Sequence, residues 1–144
     1  MDNRLQTYRE VNVNTMNRGK IVVMLFSGAI TFLSKAKVYA EKKDFYNKGR
    51  FIIKAQNIID ELNISLDMDR GQDIAKNLRS VYQFLNRYLA DANRKNDPAM
   101  LDRAIKILAT LKDAFEEVVG NPKYTEAQQV NRQEIPQHAI RRFV

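Results

Sequence analysis

The sequence predicts an all-α protein: an antiparallel up-down-up-down four-helix bundle with an N-terminal arm and a polar C-terminal tail. Three observations carry the prediction. Residues Phe51 to Asn93 write two amphipathic helices around one tight turn, DMDRG. Capping signals fall at Asp44, at Asp97-Pro98 and at Gly120-Asn121-Pro122. The connections these signals leave are short, which makes successive helices antiparallel neighbours. The division that follows is an arm at 1–16, a bundle at 17–120 and a disordered tail at 121–144.

The arm alternates at Val11, Asn12, Val13 and Asn14, a run too short to establish a strand. Leu5, Tyr8, Val11 and Val13 are too apolar for a solvated tail and too few to fold alone, so they need a surface to lie on. Asn17 is the expected N-cap of a first helix running to about Lys42. Gly19 in its first turn predicts fraying, at up to about 1 kcal/mol relative to alanine. The following IVVMLFSGAITFL is apolar nearly all the way round. This helix is therefore either the most buried of the four or covered on one side by the arm or a client.

Asp44 caps the second helix, expected to reach about Leu66. Phe45, Lys48, Ile52, Ala55, Ile59, Leu62 and Leu66 make its stripe, in which the Lys48 stem lies along the core, and Phe51, Ile58 and Ser65 form a second line beside it. Gly71 marks the turn. The third helix is expected from about Gln72 to Asn93, with Ile74, Leu78, Val81, Leu85 and Tyr88 as its stripe and Ala75, Tyr82 and Leu89 on the shoulder. Asp97 caps the fourth helix, with Pro98 at N1 where a missing N–H costs nothing. Gly120, suited to a left-handed C′ position, and Pro122 end it. The helices carry more apolar surface than two packed faces need, and that surplus points to a partner.

The chain has 144 residues, enough for one domain with a single core. It has no cysteine, so disulfides and thiolate metal sites are excluded and a reducing cytoplasm is the simpler home. The start, MDNRLQTYRE, lacks an apolar core region, so no cleavable signal peptide is expected. The longest uncharged run, Ile21 to Ser34, is 14 residues, so no membrane insertion is expected.

Catalysis finds little support. The single histidine, His138, lies in the tail, and no Glu-x-x-His pair exists for a bundle metal site. Ser27, Ser34, Ser65 and Ser80 lie on helices without a nearby base. The glycines at 19, 28, 49, 71 and 120 form no phosphate loop. Asp60-Glu61 and Glu116-Glu117 diverge on a helix and cannot share a proton. No enzyme, cofactor or metal is expected. The formal charge of +7 raises a different class: between Lys35 and Lys54 seven basic residues face only Glu41 and Asp44. Such a patch can meet phosphates, but no recognition helix or stacking motif accompanies it, so no nucleic-acid partner is expected.

A resemblance runs through the same residues. KAQNIIDEL, then SLD, then Gly71-x-x-Ile74-Ala75-x-Asn77-Leu78, Tyr82, Ala92-Asn93 and Leu111-Lys112-Asp113-Ala114 resemble the flagellin-specific export chaperone family FliS. Leu5-x-x-Tyr8-x-x-Val11-x-Val13-x-Thr15 resembles that family's amino-terminal segment, and Met24-Leu25-Phe26-x-Gly28-Ala29 its first helix. The likeness covers residues 5–119; each string is short, and order and spacing make the match. The chain departs from the family at Asn17-Arg18-Gly19, where Ser-Pro is usual, and at Phe115, where tryptophan is usual.

The resemblance implies a cytoplasmic chaperone that binds the C-terminal segment of flagellin, prevents premature polymerisation and delivers it to the flagellar type III export gate. By that resemblance the arm caps a hydrophobic groove, and Leu5 and Tyr8 dock at the gate, with Val11 and Val13 in the cap. The client furrow is expected on Phe51, Ala55, Ile58, Leu62, Leu78, Val81, Tyr82 and Leu85, with Met24 and Leu25 beneath the arm. Core packing is the competing reading of Leu62, Leu78 and Leu85, whereas Phe51, Ile58 and Tyr82 are the stronger candidates for client contact. The rival to the chaperone is a self-associating helical scaffold without an export client, and a homodimer is left open.

Overall fold

A computed structural model of the chain describes the backbone of residues 3–120 and the side chains of residues 19–69 and 71–120. Four helices follow in order: α1 (Asn3–Glu41), α2 (Phe45–Ile64), α3 (Met68–Lys95) and α4 (Pro98–Gly120). α1 lies between α2 and α4 and packs on both more extensively than α3 packs on either. α3 closes the bundle, so the all-α, four-helix architecture is as the sequence predicts.

The first helix is longer than expected. Its backbone is helical from Asn3, so it does not begin at Asn17, and the alternation at residues 11–14 does not make a strand. The reason is legible in hindsight: Leu5, Tyr8 and Val11 recur every three residues, a helical step. Gly19 does not fray a helix end but sits buried within α1 beside Val119 of α4, whose Cγ2 occupies the space a Cβ would need. The missing side chain lets the two helices approach closely.

The segment Gly19–Glu41 is long and apolar enough to cross a membrane by length and composition, which the uncharged run alone does not reveal. Some of the residues that make it so, Val22, Phe26, Ala29 and Leu33 among them, form the bundle core, while others, such as Ile21, Met24 and Val38, are exposed. A core helix passes the same test as a membrane span. Phe26 stands at the centre, its ring 5.4 Å from Phe115 of α4 and 6.4 Å from Tyr82 of α3. Phe115 therefore keeps an apolar anchor at the position where the resemblance has tryptophan.

Asp44 caps α2 as expected: its carboxylate accepts from the Asn47 backbone N–H at 3.2 Å and from the Asn47 side chain at 2.8 Å. These bonds to the charged form hold the carboxyl below its usual pKa. Asp97 caps α4, accepting from the Ala99 N–H at 3.0 Å, with Pro98 as the first helical residue.

The α2–α3 connection differs from expectation. α3 begins at Met68 with one helical turn and then breaks at Gln72, whose φ of 47° and ψ of −125° lie where glycine is comfortable. The positive φ thus falls on Gln72, one residue beyond Gly71. α3 continues to Lys95 and ends on Asn96 in the left-handed conformation. Gly120 is still helical, and no described glycine has a positive φ, so Gly120 is not the left-handed cap expected of it.

Lys48 and Asn96 together link the ends of three helices. Lys48 is only 3% exposed, and its Nζ donates to the Asn93 carbonyl at 2.7 Å, in the last turn of α3 where carbonyls lack helical partners. Beside it the Asn96 side chain donates to Ala40 O of α1 at 3.3 Å. Burial pushes the Lys48 pKa down.

Candidate functional site

The core stripes leave a second layer of apolar side chains half covered. Between α1 and α2 this layer consists of Leu25 and Phe32 from α1 and Phe51 and Ile58 from α2, all packed against the core from outside. They meet because each lies beside its helix's core stripe: Leu25, Phe32 and Tyr39 recur every seven residues, as do Phe51 and Ile58. The Phe32 and Phe51 ring centroids are 5.9 Å apart, and Tyr39 stacks on Phe51 at 5.6 Å with 11° between planes. Gly28 lets Ile58 come close, since an added Cβ would meet the Ile58 Cδ1 at 3.2 Å. Met24 extends the face outward and is 69% exposed.

Lysines frame the aromatic part of this face. Lys54 Nζ lies 5.0 Å from the Phe51 centroid and 5.5 Å from that of Phe32, and Lys35 Nζ lies 5.5 Å from Phe51. The ring faces stabilise these ammonium groups through the quadrupole.

A second apolar line runs along α3. Ile74 and Phe84 are exposed, Val81 and Tyr88 are half-buried, and Phe84 and Tyr88 stack with centroids 5.4 Å apart. Leu78 and Leu85 face the core as expected, but the two lines that flank them on α3 are exchanged. Ala75, Leu78, Tyr82, Leu85 and Leu89 are in the core, while Ile74, Val81 and Tyr88 form the shoulder. Both sets have helical spacing, and only the packed partner decides which faces inward.

The predicted furrow residues therefore divide. Met24, Leu25, Phe51, Ile58 and Val81 reach the surface or its edge. Ala55, Leu62, Leu78, Tyr82 and Leu85 are buried in the core, Tyr82 to 2% exposure. Burial also drives the Tyr82 hydroxyl pKa upward. Phe45, expected in the core stripe, is exposed, while Leu66 is half-buried. The side chains of Leu5, Tyr8, Val11 and Val13, the whole tail and His138 lie outside what the structure describes.

Phe32 and Tyr39 also belong to the α1–α2 face; their seven-residue step from Leu25 does not stand out within an all-apolar helix, and Lys35 and Lys54, legible only as the two ends of a basic run, are brought to the same face by the packing of α1 on α2. Among the described residues no cluster of three or more His, Cys, Asp or Glu is placed to hold a metal ion. The arrangement is suited to burying another apolar helix: half-covered rings and aliphatic side chains lose water on contact, worth about 25 cal/mol per Å² of apolar area.

The comparisons with known proteins agree with this geometry. The family described as Flagellar protein FliS matches residues 1–122. A flagellar secretion chaperone FliS of Vibrio cholerae is 38% identical over 122 residues, covering 82% of this chain and 90% of that protein. Those of Bacillus subtilis and Salmonella typhimurium are 32% and 30% identical, each over 85% of this chain and 91% and 95% of their own lengths. The fold is an all-α four-helix bundle that, among the described residues, carries a half-covered apolar layer outside its core. This chain belongs to the FliS family, a family of flagellar secretion chaperones.

Proposed function

We propose that this protein is a cytoplasmic chaperone that binds the C-terminal segment of flagellin, keeps it from polymerising and delivers it to the flagellar export gate. The observation that carries the reading is the half-covered apolar layer on a bundle whose relatives are named flagellar secretion chaperones. An apolar helix laid along Met24, Leu25, Phe51 and Ile58 completes the α1–α2 face, and a further stretch of the client over Val81 covers the separate line on α3. Ala55, Leu62, Leu78, Tyr82 and Leu85 then act as the floor that holds those faces in place.

Binding is the whole of this function; no chemical step, cofactor or metal enters it. The client orders as it binds, which costs several kcal/mol and keeps the complex releasable despite a large buried surface. Leu5, Tyr8, Val11 and Val13 are the cap and gate-docking residues of this scheme, and the cap covers part of the groove until a client enters. Tyr8→Ala is expected to leave client binding largely intact while weakening retention on the export gate.

Calorimetric titration with a peptide spanning the last helical segment of the same organism's flagellin, with helicity followed by circular dichroism, tests the reading. One-to-one binding with a gain in helix supports it. No binding, even after residues 1–16 are deleted, removes it and leaves a self-associating scaffold as the better description.

A further inference from the structure

We propose that the α1–α2 face selects its partner by charge, docking an acidic amphipathic helix whose carboxylates are read by Lys35 and Lys54. This rests on the chaperone reading and specifies the chemistry of what that face accepts.

The observations are local to the face. Lys35 and Lys54 come from different helices, yet both ammonium groups stand over the Phe51 ring, at 5.5 and 5.0 Å from its centroid. Lys54 also stands over Phe32, at 5.5 Å. Both residues are exposed. Neither joins the ion pairs seen among the described residues, which are Lys37 and Lys106 with Asp102, Arg94 with Asp91, and Lys112 with Glu116. Two like charges thus flank one ring, with no carboxylate between them, on a stretch that carries seven basic residues against Glu41 and Asp44.

The direction of selection follows from elementary electrostatics. A partner with an apolar stripe covers Phe32, Phe51 and Ile58 and removes water from the rings, which lowers the local dielectric around both ammonium groups. A carboxylate beside that stripe relieves their mutual repulsion and forms a charge-assisted hydrogen bond. A lysine or arginine at the same place adds a third like charge, so the wrong partner is rejected as well as the right one favoured. The rings hold the ammonium groups at the rim of the face, where a flanking carboxylate of a docked helix arrives, so less side-chain freedom is lost on binding.

The test uses two fluorescent helical peptides with the same leucine stripe, one flanked by glutamates and one by glutamines. Each is titrated against the full chain and against Lys35→Gln/Lys54→Gln, at low and moderate salt. The glutamate peptide is expected to bind the unsubstituted chain about tenfold tighter than the glutamine peptide. That preference is expected to shrink at higher salt and to vanish in the double variant, whose helicity is unchanged.

Equal affinity for the two peptides overturns the proposal, as does a preference that survives in the double variant. Failure of both peptides to bind overturns it too. Loss of duplex DNA binding on the double substitution, with no peptide preference, overturns it in favour of phosphate recognition. The flagellin peptide is titrated in parallel: if it binds while the acidic preference is absent, only the charge reading falls, and if it binds neither the full chain nor the chain without residues 1–16, the chaperone reading falls separately.

Discussion

Replacing Lys48 with methionine and with alanine separates what the buried ammonium does from what its stem does. The side chain is 3% exposed and donates one hydrogen bond of 2.7 Å to Asn93 O. Alanine removes three methylenes from the core at about 0.8 kcal/mol each, so Lys48→Ala is expected to cost about 2.4 kcal/mol before any cavity penalty. Methionine keeps the stem volume. It forfeits a charge-assisted bond worth about 1.5–3 kcal/mol but releases the desolvation cost of a part-buried ammonium. Asn93 O keeps a partner in that variant, the Asn96 N–H at 3.3 Å.

Burial lowers the pKa of Lys48, so desolvation of the ammonium opposes what the bond contributes. Lys48→Met is therefore expected to be neutral or stabilising by up to about 2 kcal/mol. The pH dependence has a definite sign. With the folded pKa below the ordinary 10.5, the unfolded chain binds more protons between the two values, so the native state gains stability as pH rises through that window. Lys48→Met lacks this gain. Urea melts of the three proteins at neutral and alkaline pH read both effects. A loss above about 1.5 kcal/mol in Lys48→Met at neutral pH, or an unsubstituted protein that gains nothing on it as pH rises, refutes the reasoning.

Other expectations follow from the same structure. Tyr82→Ala is expected to cost about 3–5 kcal/mol of stability, because the ring fills the core against Phe26. Phe51→Ala is expected to cost less stability but to lower client affinity; denaturant melts paired with peptide titration distinguish the two roles, and the reverse pattern sinks the assignment. Gln72→Gly is expected to raise stability by up to about 1 kcal/mol by relieving the positive φ, and an unchanged melt would mean that this backbone is not strained. Asp44→Ala is expected to lower the melting temperature at neutral pH. The loss should disappear in acid, since a carboxylate with a lowered pKa gives its stability above that pKa and surrenders it as pH falls through it. A melting difference that persists in acid would assign the effect to something other than the charged cap.

How much of the site was legible depends on which residue is considered. Lys48 was expected to lay its stem along the core and does so, because its place in an otherwise apolar three-and-four-residue stripe leaves it nowhere else to go. Phe51 and Ile58 were legible as a second line beside that stripe. Tyr82 was not: on α3 two helical lines have equal periodicity, and the sequence offers no reason to prefer Ile74, Val81 and Tyr88 outside over Ala75, Tyr82 and Leu89 outside. Phe32 and Tyr39 were hidden by the uniform hydrophobicity of α1.

The sequence by itself determined the all-α class, the caps at Asp44 and Asp97, and the surplus of apolar surface, because capping and periodicity act over three or four residues of chain. Its order and spacing also determined the FliS resemblance. Tertiary structure decided the rest. It joined Lys35, Phe51 and Lys54 from two helices into one face, set Gly19 against Val119, placed the positive φ at Gln72 and sent Tyr82 inward. Each of these depends on which neighbour a helix meets, and a residue's own sequence neighbours carry no record of the side chains that pack against it from a distant part of the chain.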